Sequence, residues 1–168
     1  MVKIMGIDPG LSATGIGIVS GLRSKIDRYS FGCIHTTKST PLPGRLDKIF
    51  SKLYQLLKSE NPDLMVIEDV YSLSRYPKSG IILGQVTGVI QLAGVHAGVP
   101  ALEVTVREAK QILTGNGNAN KAQFEKAVRH CLNHKTRIKP VHASDATGLA
   151  IIGLYRYQAV IRVNTNRM

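Results

Sequence analysis

Residues 2–10 read VKIMGIDPG and residues 14–20 read TGIGIVS. The first is a short apolar run closed by Asp8-Pro9-Gly10, the pattern of a buried strand that ends in a turn. The second alternates small and branched residues, and Ile26 to His35 continues in the same style, so the chain opens as a three-strand meander. Leu46, Ile49, Phe50, Leu53, Leu56 and Leu57 then recur at helical spacing between Pro43 and Ser59. A second buried strand, Leu64 to Ile67, runs directly into Glu68-Asp69.

From Ser79 to Leu102 there are 24 positions without Asp, Glu, Lys or Arg. Gln85, Thr87, Gln91, His96 and five glycines interrupt the run, which argues against a membrane span. A helix this apolar on every side is buried on two faces. One face suits the sheet. The other, with Gly80, Gly84 and Gly88, is either a homodimer seam or more of a single core. Ala101 to Val104 reads as a strand. Thr105 and Glu108 have capping-box spacing before another helix. Gly115-Asn116-Gly117-Asn118 is a break, Asn120 a cap for a helix over Lys121 to Leu132, and His142 to Tyr157 a final helix. The order β-β-β-α-β-α-β-α-α-α predicts an α/β architecture, a mixed sheet flanked by helices. Length predicts a single domain over 1–160 with a C-terminal tail at 161–168.

Twenty-two Lys and Arg stand against 11 Asp and Glu, a formal net charge of +11. Such an excess implies a polyanionic partner, either a nucleic-acid backbone or an acidic membrane surface, unless the protein is simply basic. Against so few acids, the positions of individual carboxylates carry information. Asp8 and Glu68 fall at the C-terminal ends of two buried strands, where α/β sheets place ligand sites. His142 and Asp145, three apart on a helix, share a face. If that helix crosses the same sheet edge, the four side chains form a hard-donor set suited to Mg²⁺ or Mn²⁺, and two such ions would support phosphodiester cleavage. Taken singly, each residue has an ordinary reading: Asp8 as an Asx-turn residue, Glu68 as a solvated loop acid, His142 and Asp145 as helix-terminal charges. Cys33 and Cys131 show no metal spacing and fit a reducing cytoplasm. The segment from Met1 to Gly10, with Lys3 and Asp8, is not that of a secretory signal.

IMGIDPGLSATGIG, MVIEDVYSLSRYPKSG, LGQVTGV, KQILTGNGNANKAQ and HASDATGLAI, in this order and spacing, resemble the RuvC family of Holliday-junction resolvases from about Met1 to Tyr157. The resemblance implies an RNase H-like fold, with a mixed five-stranded sheet flanked by helices on both faces. It also implies a homodimer that cuts four-way DNA junctions by paired symmetric nicks in recombination and repair. Asp8, Glu68 and Asp145 match the family's acidic metal ligands. His142 stands where many members carry another Asp and some carry His. Two Mg²⁺ ions per site are implied, with Mn²⁺ a possible substitute. Lys110 and Lys121 match basic residues beside the active site, and Tyr71 matches an aromatic at the junction centre. Arg75 and Lys78 flank Tyr76-Pro77 as further DNA-binding candidates. The helix over 79–98 is the candidate dimer seam. The family works in the cytoplasm with RuvA and RuvB, which bind and migrate the junction.

Two other nucleic-acid readings share parts of this pattern: an RNase H-like enzyme cutting RNA in hybrids, and a non-catalytic junction binder. A two-lobed nucleotide phosphotransferase would need more than 168 residues. In a dimer the charge doubles to +22, a match for the crowded phosphates of a junction. Junction affinity should therefore fall steeply with salt, with a log–log slope near −0.9 per phosphate neutralised. Anisotropy titrations over a NaCl series measure that slope, and a nearly flat line would contradict the assignment of the charge.

Overall fold

The computed structural model describes residues 1–22, 24–69 and 77–165, with side chains undescribed at 77, 78 and 158–165. Ten elements follow in the expected order: β1 (Val2–Asp8), β2 (Ala13–Leu22), β3 (Lys25–His35), α1 (Leu42–Glu60), β4 (Leu64–Asp69), α2 (Pro77–Ala97), β5 (Ala101–Thr105), α3 (Val106–Thr114), α4 (Lys121–Leu132) and α5 (Val141–Thr165). They form one five-stranded sheet ordered β3-β2-β1-β4-β5, with β1–β2 and β2–β3 antiparallel and β1–β4 and β4–β5 parallel.

Side chains alternate across the strands and divide the core in two. Met5, Ile7, Ile16, Ile18, Met65 and Ile67 face α1 and α2, where Ile49, Leu53, Leu57, Val86 and Ile90 meet them. Ile4, Val19, Leu64, Val66 and Val104 face α3, α4 and α5. Helices therefore cover both faces, as expected.

The second face is unusually close. A Cβ built on Gly6 would lie 2.0 Å from the Ala146 carbonyl oxygen, one on Gly15 2.0 Å from the His142 carbonyl oxygen, and one on Gly17 2.4 Å from Thr147 Cα. Gly6 and Gly17 are cross-strand partners, as are Asp8 and Gly15. Helix α5 thus rests on bare backbone, its own Ala143, Ala146 and Ala150 fully buried. On its far side Gly148 makes room for Phe124 of α4.

Several local expectations need correction. Glu68 does not follow its strand: β4 continues through Glu68 and Asp69, which pair with Val104 and Thr105 of β5. Thr105 does cap α3, accepting from the Glu108 amide at 3.2 Å. Glu108 does not return the bond, because Arg156 of α5 donates to its carboxylate at 2.6 Å. The reciprocal box forms instead at α4, between Asn120 and Gln123. Helix α5 runs well beyond Tyr157, so positions 161–165 of the expected tail are helical and 166–168 lie outside the described residues. Gly115, at φ +74°, closes α3 as the break in the sequence implied.

Gly6→Ala should cost about 1–3 kcal/mol, since the added methyl meets backbone that only a shift of α5 can clear. Gly32→Ala is the matched control: nothing lies within 4 Å of its added Cβ, and the change should stay within about 0.5 kcal/mol. Thermal unfolding of the two variants checks the contrast, which equal midpoints would refute.

Candidate active site

The sheet and α5 determine where the acids go. Period-2 alternation places Asp8 on the same face as Ile4 and Gly6, and Glu68 on the same face as Leu64 and Val66, the face that α5 covers. Because Ile7 is paired with Ile67 in the parallel ladder, Asp8 and Glu68 stand side by side, each one residue beyond that pair, on neighbouring strands. The glycine seat then holds the start of α5 over these strand ends.

His142 Nδ1 lies 2.6 Å from Asp8 Oδ2. Asp145, one turn along the helix, lies 3.9 Å from the Lys121 ammonium at the start of α4. Asp8 is 6% exposed, an exceptional burial for a carboxylate. Asp8, Glu68, His142 and Asp145 line one cleft of about 270 Å³ together with Lys110 and Lys121, against an apolar wall that includes Leu83, Val106, Phe124 and Leu149.

The electrostatics record the crowding. Burial, then the charge of Asp8, pushes Glu68 up to about 8. Burial and Asp8 push Asp145 up to about 6, against the pull of Lys121, His142 and Lys110. The hydrogen bond that His142 donates to Asp8 raises His142, against burial. Glu68 and Asp145 therefore resist ionising at this end of the sheet, and a bound cation relieves that condition. The donors are hard oxygens and one imidazole, which suits Mg²⁺ or Mn²⁺. Among the described residues, no three His, Cys, Asp or Glu side chains already close around a single ion position.

Six of the sequence-derived candidates, Asp8, Glu68, His142, Asp145, Lys110 and Lys121, thus meet in one cleft. Tyr71 and Arg75 lie outside the described residues, as does the side chain of Lys78. Sequence reading missed Phe124, which fills the space above Gly148 and walls the cleft. It also missed Glu125, buried on α4, whose carboxylate accepts from Arg129 Nε at 2.8 Å and from the Ile138 amide at 2.9 Å. That pair anchors the segment entering α5. The one available signal was the i, i+4 spacing of Glu125 and Arg129, which is commonplace on solvated helices.

The family described as "Crossover junction endodeoxyribonuclease RuvC" matches residues 4–153. The crossover junction endodeoxyribonuclease RuvC of Trichlorobacter lovleyi is 36% identical over 94% of this chain and 87% of its own. That of Brevibacillus brevis is 37% identical over 89% of this chain and 90% of its own. Among solved structures, T. thermophilus RuvC in complex with a Holliday junction substrate superposes with a TM-score of 0.88 at 25% identity, covering 95% of this chain and 97% of that one.

The raised acids make metal-free stability depend on pH. In the unfolded chain both carboxyls ionise near pH 4. Between about 4 and 8 the folded protein holds more protons than the unfolded one, so stability falls as pH rises through that window. The raised His142 acts in the same sense, favouring the fold below its unfolded pKa and losing that contribution as pH climbs. Glu68→Gln should flatten the metal-free melting curve between pH 5 and pH 9, with a midpoint above the parent's at pH 9. Parallel pH profiles for the two proteins would refute the crowding.

Proposed function

The chain belongs to the RuvC family of crossover junction endodeoxyribonucleases, and from that membership we propose that it nicks four-way DNA junctions in symmetric pairs at the Asp8–Glu68–His142–Asp145 cleft. The observation that carries this reading is the meeting of three carboxylates and an imidazole with two lysines at one sheet edge. Such a set is costly to hold together unless it serves a cation and an anionic substrate.

Members of the family are metal-dependent nucleases. We assign two Mg²⁺ ions per site, replaceable by Mn²⁺, to Asp8, Glu68, Asp145 and His142. Bound there, the ions would lower the charge of the cluster and acidify the attacking water. The protein's own groups do the rest. Asp8, on the rung beside Glu68 and hydrogen-bonded to His142, occupies the centre of the donor set. A neutral His142 that donates from Nδ1 to Asp8 keeps Nε2 as an acceptor, for a ligand bond or for a proton from water. Lys110 and Lys121 offer ammonium donors to the phosphoryl oxygens as charge develops on them. The apolar wall from Leu83 to Phe124 limits water around the reacting phosphate. Water adds to phosphorus, the bond to the 3′ oxygen breaks, and the products carry a 5′-phosphate and a 3′-hydroxyl.

Two coordinated nicks need two sites. Helix α2 buries Val86, Ile90 and Ala93 against the sheet but exposes Ile81 (66%), Leu92 (49%) and Val95 (76%). Gly84 and Gly88 face open space. We assign this surface to a homodimer across α2, whose two-fold axis would present two clefts to opposite strands. Tyr71, Arg75 and Lys78 are proposed to engage the junction centre. The working unit is taken as one nuclease domain over 1–160, with 161–168 peripheral to it. Action in the cytoplasm beside RuvA and RuvB, without a membrane, follows from the family resemblance.

Asp8→Asn should bind a four-way junction within about threefold of the parent while cutting it at least ~100-fold more slowly. Nick mapping on a junction with Mg²⁺ reads both the rate and the symmetry. Undiminished cutting by this variant, or equal cutting of linear duplex by the parent, would refute the reading.

A further inference from the structure

Arg45, half-buried in the second turn of α1, is held by hydroxyls where a carboxylate would be expected. Its Nε donates to Thr36 Oγ1 at 2.7 Å and its Nη2 to Ser12 Oγ at 3.0 Å. Thr36 in turn donates from its hydroxyl to the Leu11 carbonyl at 2.5 Å, and its amide donates to the Ser12 carbonyl at 3.1 Å. No ion pair engages Arg45 among the described residues. Two of the five guanidinium N–H donors are therefore committed to orientation, and among the described residues no carboxylate stands at ion-pair distance from the charge. A partly desolvated, oriented cation of this kind is a site prepared for an anion.

Its position says which anion. Ser12 is four residues beyond Asp8, a chain reach of at most about 14 Å. Thr36 follows the last residue of β3, and β3 runs in the same direction as β1, since both are antiparallel to β2. The Arg45 cluster therefore lies at the same end of the sheet as Asp8, two strands across β2, roughly 10 Å, and three residues, roughly another 10 Å, beyond the rung that Asp8 shares with Gly15 and Cys33. On the other flank, Lys110 follows β5, two strands away across β4. Cations thus stand on both sides of the acids along a single edge. Beside Arg45 the segment Thr37–Thr40 adds Lys38 and a run of hydroxyls, with Thr37 Oγ1 and Thr40 Oγ1 3.1 Å apart, groups that commonly contact phosphate and sugar oxygens.

We propose that Arg45, set by Thr36 and Ser12, binds a backbone phosphodiester of the DNA strand being cut, a few nucleotides from the scissile bond and on the flank opposite Lys110. This deepens the nuclease reading and rests on it. The phosphate contact fixes the register of the strand over Asp8 and carries no base specificity.

The test is junction binding by the full chain in metal-free buffer, where no strand is cut, followed by anisotropy over a NaCl series. Arg45→Gln retains amide donors for the two hydroxyls but loses the charge. It should lower the magnitude of the log–log salt slope by about 0.9 and weaken binding about 5–10-fold near 0.1 M salt, by a similar factor on junctions of unrelated sequence. Arg45→Lys, which keeps the charge but not the fork, should restore the slope. Its cleavage pattern should show displaced or less uniform nick positions. An unchanged slope in Arg45→Gln, with only a lowered melting midpoint, would overturn the proposal and leave Arg45 a tie between loops. A parent chain that bound no junction would instead overturn the nuclease reading itself, and this one with it.

Discussion

Most of the molecule is arranged around the contact between helix α5 and the backbone of β1 and β2. Side chains on Gly6, Gly15 or Gly17 would occupy space already filled by the helix main chain. Close packing of this type is specific: a helix on a bed of branched side chains has several comparable seats, whereas one lowered onto bare backbone has few. The seat matters because α5 carries two of the four candidate metal ligands and the sheet carries the other two. Any rise of α5 would separate His142 from Asp8 and Asp145 from Glu68. Glu108 with Arg156, and Glu125 with the Ile138 amide, secure the same helix from α3 and α4. The fold is in this sense a clamp on one interhelical and interstrand register.

That register brings carboxylates closer than they would choose. The displacement of Glu68 to about 8 and of Asp145 to about 6 expresses work done on the site by the rest of the fold, chiefly through burial. Lys121, at 3.9 Å from Asp145 and 73% exposed in its side chain, provides at most a weak surface pairing. Of the 22 Lys and Arg, Lys110 and Lys121 line the buried acidic pocket.

Much of this was legible in the sequence where local pattern decides the outcome. The ten elements appear in the predicted order, and α4 spans Lys121 to Leu132 as read, because apolar periodicity and the Asn120 cap are local signals. The acids were found because strand ends and i, i+3 helical spacing are likewise local. What escaped was decided at long range. Glu68 stays within β4 because β5 pairs alongside it, and Glu108 abandons its own helix cap for an arginine 48 residues away. Gly15 and Gly17 looked like ordinary components of a meander. Their purpose emerges only when α5, more than 120 residues later, arrives above them. The Arg45 network joins three segments of no distinctive composition, so no single window of sequence could display it.

His142 makes the closing step of the argument. The family resemblance places an acid here in many members, yet a fourth carboxylate beside Asp8, Glu68 and Asp145 would add a further like charge to a pocket in which two acids are already held partly protonated. An imidazole acts in the opposite sense: it donates to Asp8 at 2.6 Å and, when protonated, lowers the cost of ionising Asp145. The cluster is thereby partly satisfied before any cation arrives, which favours a folded metal-free state. The same bond gives a cation a competitor for Asp8, so metal binding must displace or share an existing partner. Lower charge and an occupied carboxylate would both weaken attraction for a hard cation, and an imidazole nitrogen is a softer donor than a carboxylate oxygen. With an imidazole at this position, the cluster depends less on a cation for tolerance of its own charge than a set of four carboxylates would.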